Sequence, residues 1–119
     1  MSIPKVVQIK ILSTPEFIQE LKNEATNKSK TIKVLSSGVE KDPTALEFGL
    51  DEVATMLAII QGSFYIGEFC SMIWRQFKDG KAKRVVIQTP LRRVEIILSE
   101  DLTEDSIRSI LKKAIDIAS

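Results

Sequence analysis

The feature that most constrains this chain is the apolar run from Val53 to Trp74, about as long as the ~20 residues a membrane helix needs and followed by basic residues. Gln61, Gly62, Ser63, Gly67, Glu68 and Ser71 all fall inside it. An ionised Glu68 near its centre would be costly in lipid, so the run is expected to form the buried centre of a folded domain rather than a membrane span. Leu50, Val53, Ala54, Leu57 and Ile60 recur at three- and four-residue spacing behind the Asp42-Pro43 cap, which predicts a helix. Gly62 is expected to interrupt or kink it, and a second helical segment from Phe64 to Lys78 places Ile66, Phe69, Cys70, Ile73 and Phe77 on one stripe.

The flanking segments supply strands and caps. Val7, Ile9 and Ile11 alternate in Val6 to Leu12, and Thr31 to Leu35 is short and β-branched, so both read as strands. Between them lies a helix carrying Phe17, Leu21 and Ala25. It starts either at a Thr14 cap with Pro15 in the first position or at a Ser13/Glu16 capping box. A strand, helix, strand order favours a parallel crossover. After Asp79-Gly80, Arg84 to Gln88 and Arg93 to Leu98 read as a hairpin around Thr89-Pro90-Leu91-Arg92. A last helix follows, capped by Thr103, with Leu102 stapled onto Ile107. The expected fold is one α/β (α+β) domain over residues 1–119. It has two layers, a mixed, roughly four-stranded sheet with helices mainly on one face, in the order β-α-β-α(broken)-β-β-α.

Composition narrows the chemistry. At 119 residues, 44% apolar and 28% charged, the chain can bury a core without staples. It has no histidine, which removes the commonest general base and most zinc sites. The single cysteine, Cys70, has no internal disulfide partner and no histidine to activate it, so it reads as a small buried hydrophobe. Glu68 lies off the apolar stripe and is expected to face outward. Glu100, Asp101, Glu104 and Asp105 lack the glycine and alternating ligands of a calcium loop and instead complement a helix N-terminus. Gly62 and Gly67 are not followed by the lysine and hydroxyl of a phosphate loop. No catalytic residue, metal site or cofactor is expected. Met1-Ser2-Ile3-Pro4-Lys5 lacks the pattern of a secretion leader, so a reducing cytoplasm is the expected compartment.

Charge is uneven although the net charge is +1: Arg75 to Arg93 holds seven basic residues against one acid. The candidate partner-contacting residues are Trp74, Arg75, Lys78, Lys81, Lys83, Arg84, Arg92 and Arg93, because tryptophan and arginine are frequent binding anchors and a basic end attracts acidic partners. The bland alternative is a solvated loop beside a hairpin, with Trp74 closing the core.

From Leu57-Ala58-Ile59-Ile60-Gln61-Gly62-Ser63, through Phe69, Ile73-Trp74-Arg75 and the basic run, into Val85-Val86-Ile87-Gln88, Val94-Glu95-Ile96-Ile97-Leu98 and a final helix, the chain resembles the effector-associated constant component family of bacterial conflict systems. The resemblance covers about Leu50 to Ile115. It departs from that family at the hairpin turn, where Thr89-Pro90-Leu91-Arg92 stands in place of Asp-Gly, and in a basic run richer in lysine. The resemblance implies a coupling or recognition component without chemistry of its own, partnered with an effector protein such as a peptidase. A nucleic-acid-binding module is the alternative, since the element order is also similar to the C-terminal domain of a translation initiation factor. RNA readers interleave aromatics with their basic residues, and no aromatic residue occurs from Lys78 onward. The oligomeric state cannot be read from these patterns.

Overall fold

The computed structural model describes residues 6–28, 32–41, 52–61, 65–90 and 92–118. It is an α+β fold with the elements β1 (Val6–Ser13), α1 (Pro15–Lys28), β2 (Ile32–Glu40), β3 (Val53–Gln61), α2 (Tyr65–Lys78), β4 (Arg84–Gln88), β5 (Arg93–Ile97) and α3 (Glu104–Ala118). Among the described residues five strands form one sheet in the order β2-β3-β1-β4-β5, each antiparallel to its neighbour. β1 and β2 run in the same direction, as a crossover requires, but β3 lies between them. Likewise β1 lies between β3 and β4, so β1-α1-β2 and β3-α2-β4 interlock as a split β-α-β pair. β5 and α3 extend that unit.

The helix expected from Leu50 to Ile60 is instead strand β3, which turns a mixed four-stranded sheet into an antiparallel five-stranded one. Nearly every residue from Val53 to Ile60 is apolar, and such a run satisfies a three- to four-residue spacing and a period of two at once. Burial resolves the ambiguity. Ala54, Met56, Ala58 and Ile60 are buried on one face while Thr55, Leu57 and Ile59 are half-buried on the other. A strand with neighbours on both sides shows this pattern, and the β-branched Val53, Thr55, Ile59 and Ile60 favour it. Leu50, the Asp42-Pro43 cap and Gly62 lie outside the described residues.

The main core lies between the sheet and the helices. Ile9 and Ile11 of β1, Met56, Ala58 and Ile60 of β3, and Val85 and Ile87 of β4 meet Phe17 and Leu21 of α1 and Phe69, Ile73 and Phe77 of α2. Phe17 and Phe77 sit 6.0 Å apart at a 44° tilt, joining the two helices. Ile107 and Leu111 carry α3 onto the same core, beside α2 and β5. Leu12, Val53 and Val86 form a smaller buried cluster on the opposite sheet face.

Hydroxyl and glycine positions set the element ends. Thr14, not Ser13, caps α1: its Oγ1 accepts from the Phe17 N–H at 3.2 Å and donates to the Lys81 carbonyl at 2.8 Å. Ser13 is buried and donates to the Arg84 carbonyl at 2.7 Å. Both bonds pin the β1–α1 turn to the connection before β4. That connection leaves α2 through Gly80, whose φ of 75° suits glycine; the Gly80 N–H reaches the Phe77 carbonyl and the Lys81 N–H the Gln76 carbonyl, closing the helix end. Thr103 caps α3 by accepting from the Ser106 N–H at 3.1 Å.

The two caps should differ in cost. Thr103→Ala removes one exposed cap bond and should destabilise the fold by about 1 kcal/mol. Thr14→Ala also strands the Lys81 carbonyl and should cost about 2 kcal/mol. Urea unfolding of the two variants measures the difference; equal losses would mean that the Thr14–Lys81 bond adds nothing.

Candidate functional site

The basic residues between Arg75 and Arg93 do not form one patch. Arg75 and Lys78 end α2 beside Trp74, Lys81 and Lys83 follow in the connection, and Arg84 opens β4. Arg92 and Arg93 lie at the other end of the hairpin, because Arg93 is opposite Gln88 whereas Arg84 is opposite Ile97. Four residues of strand, about 14 Å, separate the two groups. An even run of basic residues in sequence therefore becomes a cationic corner at the end of α2 and a second basic site at the β4–β5 turn.

Several of these side chains have structural partners. Arg75 reaches Glu24 of α1 at 3.0 Å, and Gln76 donates to the other oxygen of the same carboxylate at 3.3 Å, so Glu24 ties the two helices together. Arg84 pairs with Glu95 across the hairpin at 2.6 Å. Arg93 donates to the Gln88 side chain at 3.4 Å. Trp74 is half-buried against the core, with the Lys78 ammonium 5.9 Å from its ring centroid. It packs against the core and keeps part of its ring beside a cation. Lys78, Lys83 and Arg92 are exposed.

The sheet face away from the helices is a surface the sequence reading missed, because β3 was expected to be a helix. Lys10 is opposite Leu57 and Gln88, and Gln8 is opposite Ile59. Together with Thr89 and Pro90, the residues Gln8, Lys10, Leu57 and Gln88 border a shallow depression of about 250 Å³. The Lys10 ammonium reaches across β3 to both Glu40 oxygens at 2.7 and 2.8 Å. None of the five described strands contains an aromatic residue, so their side chains offer no stacking platform for bases.

Cys70 is fully buried and donates from Sγ to the Glu104 carbonyl at 3.0 Å, while Ser71 next to it donates to the Glu104 carboxylate at 2.7 Å. These bonds fasten α2 to the first turn of α3. Burial pushes the Cys70 thiol above its ordinary value, with the negative charges of Glu104 and Asp105 adding to the rise and Arg108 opposing it. The site therefore favours the protonated thiol. No group of metal-ligating side chains occurs among the described residues, and none of the described helices is long and apolar enough to cross a membrane.

Comparison with protein-family models, with curated proteins and with solved structures finds no match to the chain.

The raised Cys70 pKa has a definite sign. The folded state holds this proton more tightly than the unfolded chain, so the associated stability is present below the unfolded value of about 8.5 and is lost as pH rises toward the folded one. Wild type should lose stability on going from neutral to alkaline pH, whereas Cys70→Ala should lose less over the same range. Chemical denaturation of both across that range checks this, and parallel curves would count against it. An aromatic disulfide reagent should titrate one thiol only after unfolding.

Proposed function

We propose that the chain is a non-enzymatic adaptor that holds an effector protein, such as a peptidase, in a bacterial conflict system, working in the cytoplasm. The observation that carries this reading is the end of α2, where Lys78 lies over the half-buried ring of Trp74 and the chain leads on into Lys81 and Lys83. An aromatic anchor with a cation over its ring suits an acidic face on another protein. The resemblance to effector-associated constant components supports the same reading: α2 carries Trp74 and Arg75 near its C-terminal end, and a basic run, a hairpin and a helix follow. The strands free of aromatics weigh against single-stranded nucleic acid as the ligand.

Nuclease-treated affinity purification of the tagged chain from its native cells, with mass spectrometry of what stays bound, tests the proposal. The expected result is one effector protein retained in stoichiometric amount. A Lys78→Glu, Lys83→Glu variant should bind that protein at least about tenfold more weakly, as expected when opposed charges at an interface are reversed. An Arg92→Glu, Arg93→Glu variant should bind near the wild-type level if the α2 corner is the contact. Recovery of nuclease-sensitive material alone, with binding that falls steeply with salt, would overturn the adaptor reading in favour of nucleic acid.

A further inference from the structure

The edge strand β2 points to a second binding surface, independent of the adaptor reading. β3 lies on one side of β2, and no described strand lies on the other. Leu35 through Val39 are all exposed, and Leu35 at 46% and Val39 at 62% are two of the large apolar side chains left open to solvent. A long edge strand with apolar side chains is a ready template for another strand.

The register of β2 against β3 indicates which strand. Val34 is opposite Ala58 and Ser36 is opposite Leu57, so Leu35 is an extra residue bulged out of the ladder. The residues that keep ladder positions from Lys33 to Glu40 are therefore odd in number and centred on Ser37. Lys33 and Glu40, at the two ends, lie opposite Ile59 and Val53 on the face away from the helices, whereas Val34 and Val39 lie opposite Ala58 and Ala54 on the helix face. Without the bulge, Lys33 and Glu40 would fall on opposite faces.

This pattern is complementary to its own reverse. Antiparallel pairing of β2 with the same strand of a second copy sets Lys33 against Glu40, Val34 against Val39, Ser36 against Gly38, and Ser37 against itself on the two-fold axis. Each pair shares a face. β-branched pairs directly across strands are favourable, Lys33 meets a Glu40 carboxylate that already holds Lys10 and adds a second cation to it, and the two-fold makes each contact occur twice. The bulged Leu35 of one copy falls near Gly38 and Val39 of the other, which border a depression of about 270 Å³ bounded also by Pro15, Ile18 and Ala54. The geometry points to a two-fold dimer in which β2 pairs with β2 and the two sheets join into one.

Sedimentation across a concentration series should show the mass rising from one chain to two. Val39→Lys, which puts a charge into the apolar pair, and Lys33→Glu, which sets like charges opposite each other, should each shift the transition to at least about tenfold higher concentration. Circular dichroism verifies that both remain folded, and Lys33 is an exposed position where substitution is mild. Directly opposed antiparallel residues have Cα atoms about 4.5–5.5 Å apart, within the span of a disulfide, so Ser37→Cys should form a covalent dimer on mild oxidation. Ser36→Cys, which faces Gly38, should do so much less, and the buried Cys70 should not take part. A one-chain mass at every concentration would overturn the proposal. So would a dimer indifferent to Val39→Lys and Lys33→Glu, or equal crosslinking of the two cysteine variants.

Discussion

The fold depends on a narrow joint. β1 pairs with β3 along its whole length but with β4 only at Lys10, Ile11 and Leu12. Through those three positions the β2-β3-β1 part of the sheet is connected to the β4-β5 hairpin. The joint is short in backbone terms, and two hydroxyls lengthen it: Ser13 bonds the Arg84 carbonyl and Thr14 the Lys81 carbonyl. Ile11 and Ile87 meet there on the helix face and Leu12 and Val86 on the other, and all four are fully buried. A buried carbonyl left unpaired costs more than a single hydrogen bond contributes, so these hydroxyl contacts fix where the hairpin docks rather than merely adding to stability.

Charge is used structurally before it is available for binding. Glu24, Glu40 and Glu95 each hold a basic side chain. Such part-exposed pairs contribute only about 0–1 kcal/mol each, so their value lies more in orientation than in stability. They also thin out the basic run as a recognition surface, because Arg75 and Arg84 are committed to carboxylates. The cation over Trp74 is a lysine, Lys78, and an ammonium suits an acidic rim better than bidentate recognition of a phosphate.

Most of the element order was legible in the sequence because the elements carry local signals. Thr14-Pro15, Thr103 with Leu102 and Ile107, and Asp79-Gly80 each specify an end through capping chemistry that does not depend on the rest of the chain. The β4–β5 hairpin was legible for the same reason. β3 was not, because its information is tertiary: a nearly unbroken apolar run fits a buried helix and an inner strand alike, and only its neighbours in the sheet decide between them. Once β3 is a strand, the sheet order, the antiparallel pairing and the Lys10, Leu57 and Ile59 surface all follow. The division of the basic run into two sites was equally hidden, since it depends on which strand residues oppose each other across the hairpin rather than on their spacing in the chain.

The two surfaces inferred from the fold are compatible because of the strand order. β2 is at one edge of the sheet, while the α2 end leads into β4 near the other. A dimer formed through β2 therefore leaves Trp74, Lys78, Lys81 and Lys83 uncovered and carries a copy of that corner on each side of the two-fold. Two identical sites held at a fixed separation convert the second contact with a multivalent partner into an intramolecular step, which strengthens attachment without any new contact. For the adaptor role proposed above, a chain of this size has little surface to devote to a single tight interface, and doubling a modest one is a physical route to a stable assembly.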